Sequence, residues 1–85
     1  MELTTTTWTV ELHLSERDGV TNADARLISG VPDPLTATGT ARLSPRDKVD
    51  VAEIGYELAA ARALTRLGEK LLATARLDVD ALNEP

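Results

Sequence analysis

Leu35-Thr36-Ala37-Thr38-Gly39-Thr40-Ala41-Arg42-Leu43 decides the fold. Leu35, Ala37, Gly39, Ala41 and Leu43 fall on one face of an extended chain, and Thr36, Thr38, Thr40 and Arg42 on the other. That is the period of a half-buried β-strand. The inward face is apolar but nearly without bulk. Alanine and glycine let another element approach closely, so a helix is expected to lie against this strand.

Upstream, Thr7 to Ser15 also alternates, with Trp8, Val10, Leu12 and Leu14 against Thr7, Thr9, Glu11 and His13. This predicts a first strand with a bulky apolar face. Glu16-Arg17-Asp18-Gly19 carries the Asp-Gly signal of a tight turn. A second strand follows from about Val20 to Ile28, with Ala23, Ala25 and Leu27 inward and Asn22, Asp24 and Arg26 toward solvent. Ser29-Gly30-Val31-Pro32-Asp33-Pro34 is a loop, because proline and glycine interrupt a ladder. Three strands with short links give an antiparallel meander with one apolar face.

Downstream, Ser44-Pro45 suits a helical opening and Asp50 with Glu53 resembles a capping box. Val51, Ile54, Leu58, Ala61, Leu64, Leu67, Leu71 and Ala75 then recur at spacings of three and four. This predicts an amphipathic helix over Val51 to Arg76 with that row against the sheet. Gly55 is expected to allow close contact with the sheet, and the helix is expected to continue through Gly68. Asp78 to Leu82 is expected as one short terminal turn. The fold class is α+β: a three-stranded antiparallel meander packed on a long C-terminal helix, in one domain over 1–85 with an ordered core of about 6–82. A helix of that length measures about 39 Å, against roughly 14 Å for the width of three strands. Leu67, Leu71 and Leu72 should then lack cover, and a homodimer is expected, with a two-fold axis near the helix end or a free strand edge.

The composition removes several function classes. There is no Cys and one His, which excludes disulfide frameworks, thiol catalysis and metal sites of several imidazoles. Trp8 and Tyr56 are the only aromatics, too few for a base-stacking platform. No apolar run nears the roughly 20 residues of a membrane span, and the N-terminus lacks a signal-peptide pattern. A soluble cytoplasmic protein is expected, with no membrane partner, no cofactor, no metal and no small-molecule substrate. No phosphate loop, nucleophile elbow or catalytic constellation occurs, so an enzyme is not expected.

Charge is unevenly placed. The net charge is −5, but Arg42 to Arg76 carries seven basic and five acidic residues while the remainder carries two basic and nine acidic. Arg62, Arg66 and Lys70 lie four apart on one helix face. With Arg42, Arg46 and Lys48 just before the helix, they make a candidate nucleic-acid-binding stripe that reads phosphate by shape. The structural alternative is intrahelical pairing, with Glu57, Arg62, Arg66, Glu69 and Lys70 as a solvated, partly salt-bridged surface. His13 beside Glu11 is read as an exposed strand histidine, Glu53 as a cap rather than half of a carboxylate pair with Glu57, and Trp8 as core.

Trp8-Thr9-Val10, Gly19-Val20-Thr21, Ala25-Arg26-Leu27 and Gly39 through Asp47 stand in order before Val51-Ala52-Glu53-Ile54-Gly55-Tyr56-Glu57-Leu58, Ala61 to Leu64 and Leu67-Gly68. Over about residues 8 to 72 the chain resembles a small actinobacterial family of unknown function, described as having a double-stranded-RNA-binding-domain-like fold. One member of that family has been compared with ribosome hibernation-promoting factors. The resemblance implies a three-stranded sheet with a helix, a dimer, and a stress- or dormancy-associated role at the ribosome or on structured RNA. It supplies no catalytic residues. The chain departs from the ribosome-associated pattern in having two lysines, Lys48 and Lys70, and no helix before the first strand. The alternative reading is a homodimeric protein–protein interaction module with no nucleic-acid binding.

Overall fold

The computed structural model describes residues 2–42 and 52–83. Strands β1 (Thr9–Arg17), β2 (Val20–Ile28) and β3 (Leu35–Arg42) precede one helix, α1 (Ala52–Asn83). The sheet order is β1-β2-β3 with both pairings antiparallel. This is the expected α+β arrangement. Leu43, the Ser44-Pro45 opening, the Asp50 cap and Val51 lie outside the described residues, as do Arg46 and Lys48.

The β1–β2 ladder runs from Thr9 opposite Ile28 to Arg17 opposite Val20. Only Asp18 and Gly19 lie between the strands, with φ of 52° and 77°. Two successive positive φ values define the hairpin turn whose twist matches that of the strands, and Asp-Gly adopts it at low cost. The Gly19 amide donates to the Glu16 carboxylate at 3.1 Å. Because the turn is this tight, β1 begins and ends two residues later than the sequence pattern placed it.

The inward set of β2 and β3 is as expected, with one addition. Ala23, Ala25, Leu27, Ala37, Gly39 and Ala41 are buried, and Thr21 joins them. The helix face is different from the expected row. Gly55, Ala59, Ala63 and Leu67 are the buried residues of α1. Ile54, Leu58 and Leu64 remain about two-fifths exposed, and Ala61 is exposed. The reason is distance. A Cβ at Gly39 would collide with the Ala59 carbonyl oxygen and the Ala63 amide nitrogen, and would sit 3.0 Å from the Arg62 carbonyl carbon. A Cβ at Gly55 would lie 2.6 Å from Thr21 Oγ1. Backbones this close leave no room for leucine, so the small residues face the sheet and the bulky ones turn away.

The core is therefore thin. Among the described residues its apolar members are six alanines and two leucines, and the largest side chain buried below 2% exposure is Thr21. Burial is worth roughly 0.8 kcal/mol per methylene, so alanines contribute little through area. Close packing and backbone proximity must supply the rest.

Helix α1 runs unbroken through Gly68 for 32 residues, about 48 Å at 1.5 Å per residue. Asp78 to Leu82, expected as a separate turn, belongs to the same helix. The helix lies along the strands and not across them, so the overhang is set by strand length. Leu67 is covered and Leu71 partly covered, contrary to expectation, whereas Leu72, Leu77, Val79 and Leu82 are 52% to 85% exposed. The molecule is elongated, 57 × 30 × 23 Å.

Gly39→Ala should destabilise the fold by about 3 kcal/mol, because backbone cannot rotate away from the added methyl group. Urea denaturation of the variant checks this. Gly68→Ala should act in the opposite sense: beyond the backbone of its own helical turns nothing lies within 4 Å of its Cβ position, and replacing a mid-helix glycine gains roughly 1 kcal/mol. A rise in Tm of several degrees on thermal unfolding is the expected result.

Candidate functional site

Helix α1 runs antiparallel to β3, and the two repeats nearly match. Four helical residues advance about 6 Å, and two strand residues advance about 6.7 Å. Arg62, Arg66 and Lys70 therefore meet β3 at every second residue. The Arg62 guanidinium donates to the Thr40 carbonyl at 2.7 Å, Arg66 to the Thr38 carbonyl at 2.9 Å, and the Lys70 ammonium to the Thr36 carbonyl at 2.7 Å. These are backbone acceptors on the free edge of the sheet, since β3 is an outer strand. The described geometry thus differs both from a free phosphate-binding stripe and from pairing with Glu57 and Glu69. Long cations laid over an edge strand block its pairing with another chain. All three side chains stay exposed.

Arg42 does not join this row. It ends β3 on the alternation of Thr36, Thr38 and Thr40, on the face turned away from the helix. Of the six basic residues expected to form one stripe, the structure groups three, sets Arg42 on the opposite face, and leaves Arg46 and Lys48 outside the described residues.

The other edge of the sheet is arranged differently. Since Thr36, Thr38 and Thr40 point their carbonyls outward, Leu35, Ala37, Gly39 and Ala41 must bond to β2 through Leu27, Ala25, Ala23 and Thr21. Alternation along β2 then directs Val20, Asn22, Asp24, Arg26 and Ile28 toward β1. In β1 this leaves the N–H and C=O groups of Val10, Leu12, Leu14 and Glu16 facing away from the sheet. The helix covers β2 and β3 and touches β1 least. Val10, Leu12 and Leu14 are consequently 37% to 41% exposed, although they lie on the helix side. Trp8, expected in the core, is 52% exposed. It lines an apolar cleft of about 340 Å³ with Leu27, Val31, Leu35 and Leu71.

The outer face of the sheet is polar and shallow. Glu11, His13, Asp24, Arg26, Thr36 and Thr38 surround a depression of about 460 Å³. Register arranges them in two rows, Glu11–Arg26–Thr36 and His13–Asp24–Thr38. Asp24 and Arg26 were legible only as solvent-facing residues, because their cross-strand neighbours depend on register. His13 is exposed, as expected. Thr40 Oγ1 donates to Asn22 Oδ1 at 3.2 Å on the same face. Among the described residues no group of three His, Cys, Asp or Glu side chains is placed to hold a metal ion. Glu53 and Glu57 are exposed on the helix surface.

The sequence pattern set Ile54, Leu58, Ala61 and Ala75 against the sheet, but all four are exposed. Ile54, Leu58, Leu72, Val79 and Leu82 are exposed along α1, with the smaller Ala61, Thr65, Gly68 and Ala75 between them. From Ile54 to Leu82 these positions alternate in steps of four and three, the heptad spacing of a helix-pairing seam. No helix among the described residues is long and apolar enough to cross a membrane.

The same architecture occurs in solved form. The crystal structure of Rv2632c superposes with a TM-score of 0.89 and 38% sequence identity, covering 100% of this chain and 99% of that one. The uncharacterised protein Mb1767 of Mycobacterium bovis is 43% identical over 75 residues, 88% of this chain and 78% of its own length. The uncharacterised protein Rv2632c of Mycobacterium tuberculosis is 42% identical over 72 residues, 85% of this chain and 75% of its own length. The family signature matches residues 6–85, and the chain belongs to the Rv2632c-like family.

Proposed function

We propose that this chain works without catalysis, as a homodimeric protein–protein interaction module. The observation that carries the reading is the exposed apolar row along α1. Its heptad spacing suits another protein's helix, and it offers nothing to a phosphate or a small polar substrate. The thin core supports the same reading. A chain that buries mostly alanine, yet exposes Trp8, Leu12, Leu72, Val79 and Leu82, holds its bulky apolar groups in reserve for a partner.

The second reading is stress-associated contact with ribosomes or structured RNA, as the family resemblance implies. One observation favours it. Arg62 and Arg66 are exposed, and a guanidinium has N–H donors beyond those used on a single carbonyl. Three observations oppose it. The net charge of −5 repels phosphate at long range. The cations are drawn down onto strand carbonyls, whose oxygens repel an incoming anion. Arg42 lies across the sheet from them.

Co-sedimentation with 70S ribosomes and with a double-stranded RNA tests the choice. The expected result is no bound fraction at either about 50 mM or about 200 mM salt, a range over which a protein making several phosphate contacts loses most of its affinity. Binding that falls steeply across that range, and is lost in an Arg62→Gln, Arg66→Gln, Lys70→Gln variant, overturns the interaction-module reading. Light scattering should give twice the 9.1 kDa chain mass.

A further inference from the structure

The two edges of this sheet are treated in opposite ways. The β3 edge has its outward carbonyls occupied by Arg62, Arg66 and Lys70. Among the described residues, the β1 edge leaves the backbone groups of Val10, Leu12, Leu14 and Glu16 without a partner strand. Edge strands in monomers are usually guarded by a charge, a proline or a bulge. Val10, Leu12 and Leu14 supply none of these. Resting on the reading that the chain self-associates, we infer that β1 pairs antiparallel with β1 of a second copy, centred on Leu12. The result is a continuous six-stranded sheet with both helices on one face.

The occupant is a second copy because β1 is self-complementary in this register. Leu12 meets Leu12 of the second copy, and Val10 meets its Leu14. Thr9 meets its Ser15, and Glu11 meets its His13. The outer face then reads, across six strands, Thr36–Arg26–Glu11 followed by His13–Asp24–Thr38 of the second copy. Basic and acidic groups alternate along this row, as favourable cross-strand pairing requires. Moving the centre to Glu11 sets two glutamates opposite each other. Moving it to His13 sets Val10 opposite Glu16. The Leu12 register also gives each outward N–H and C=O of Val10, Leu12 and Leu14 a mate, since these residues form the hydrogen-bonded pairs.

Side-chain size fits the same arrangement. Small residues line β2 and β3, where the helix presses on the sheet. Bulky residues line β1, which the helix leaves partly uncovered. In the dimer the two helices stand well apart, each above its own β2 and β3. The channel between them has Val10, Leu12 and Leu14 from both copies as its floor. Tyr56 and Leu64 of each helix fall on its walls, displaced along the helix turn from the buried Gly55 and Ala63. Large side chains stand where no backbone fills the space.

The chain contains no native cysteine, so single cysteines at positions 10, 12 and 14 and at Thr65 report the interface directly. Light scattering on the unmodified chain comes first. Leu12→Cys should cross-link with a short bis-maleimide, because facing Cα atoms lie about 5.5 Å apart in a hydrogen-bonded pair. Val10→Cys and Leu14→Cys should cross-link roughly tenfold less, since each lies four residues from its own copy, about 13 Å. The amides of Val10, Leu12 and Leu14 should also exchange slowly with deuterium in the unmodified protein, and faster on dilution below the dimer's dissociation constant. A dimer whose cross-link appears at Thr65→Cys, with fast exchange at Val10 and Leu12, overturns the β1 interface and leaves the interaction-module reading standing. A cross-linking maximum at Val10→Cys or Leu14→Cys overturns the register. A 9.1 kDa monomer overturns both the interface and the homodimer.

Discussion

The contact between Gly39 and the Ala59 to Ala63 turn of the helix governs the rest of the structure. There the backbones of β3 and α1 meet with no side chain between them. Once that distance is set, the facing helix row can hold only glycine, alanine and, farther along, leucine. The neighbouring row then hangs over the edge of β3 within reach of its carbonyls, which is where Arg62, Arg66 and Lys70 stand. On the other side the helix is drawn away from β1, whose bulky residues remain half uncovered. A thin core, a guarded edge and an unguarded edge are three results of one close approach.

Much of this was legible in the chain. Period-two alternation placed all three strands, Asp18-Gly19 placed the hairpin, and the alanines with Gly39 announced that a helix would come near. Continuation through Gly68 followed from the helix formers on both sides. The buried helix face was misread for a physical reason. Large apolar residues recur at helical spacing on α1, and that spacing ordinarily marks the side turned to the core. Here the trough is too shallow for them. The small row Gly55, Ala59 and Ala63 carries weaker hydrophobic contrast, so it was outweighed although it matched the trough better.

The candidate site was legible as composition but not as geometry. Arg62, Arg66 and Lys70 could be grouped from their four-residue spacing alone. Their destination could not be known, because it depends on the direction of the helix relative to β3 and on which carbonyls of that strand face outward. Grouping Arg42 with them failed because strand alternation sends it to the far side of the sheet. The outer rows built around Asp24 and Arg26 required the register of two ladders, which no single segment contains. The unguarded β1 edge is likewise a property of the assembled sheet: bonding parity passes from β3 through β2 to β1, and only the last strand shows what is left over.

The helix and β3 are engaged like two scales with slightly unequal divisions. Each step of four against two accumulates a mismatch of about 0.7 Å, which the long stems of arginine and lysine absorb over three rungs. Beyond those rungs the alignment ends at Leu58 on one side and at Thr74 on the other. Such an engagement tolerates no change of length. One residue inserted between Arg62 and Lys70 would turn half the row about 100° from the strand. One residue inserted between Thr36 and Thr40 would reverse which carbonyls face outward. Length variation in chains of this architecture should therefore collect in the Ser29 to Pro34 loop and in the free end of the helix, where nothing is being measured off against anything else.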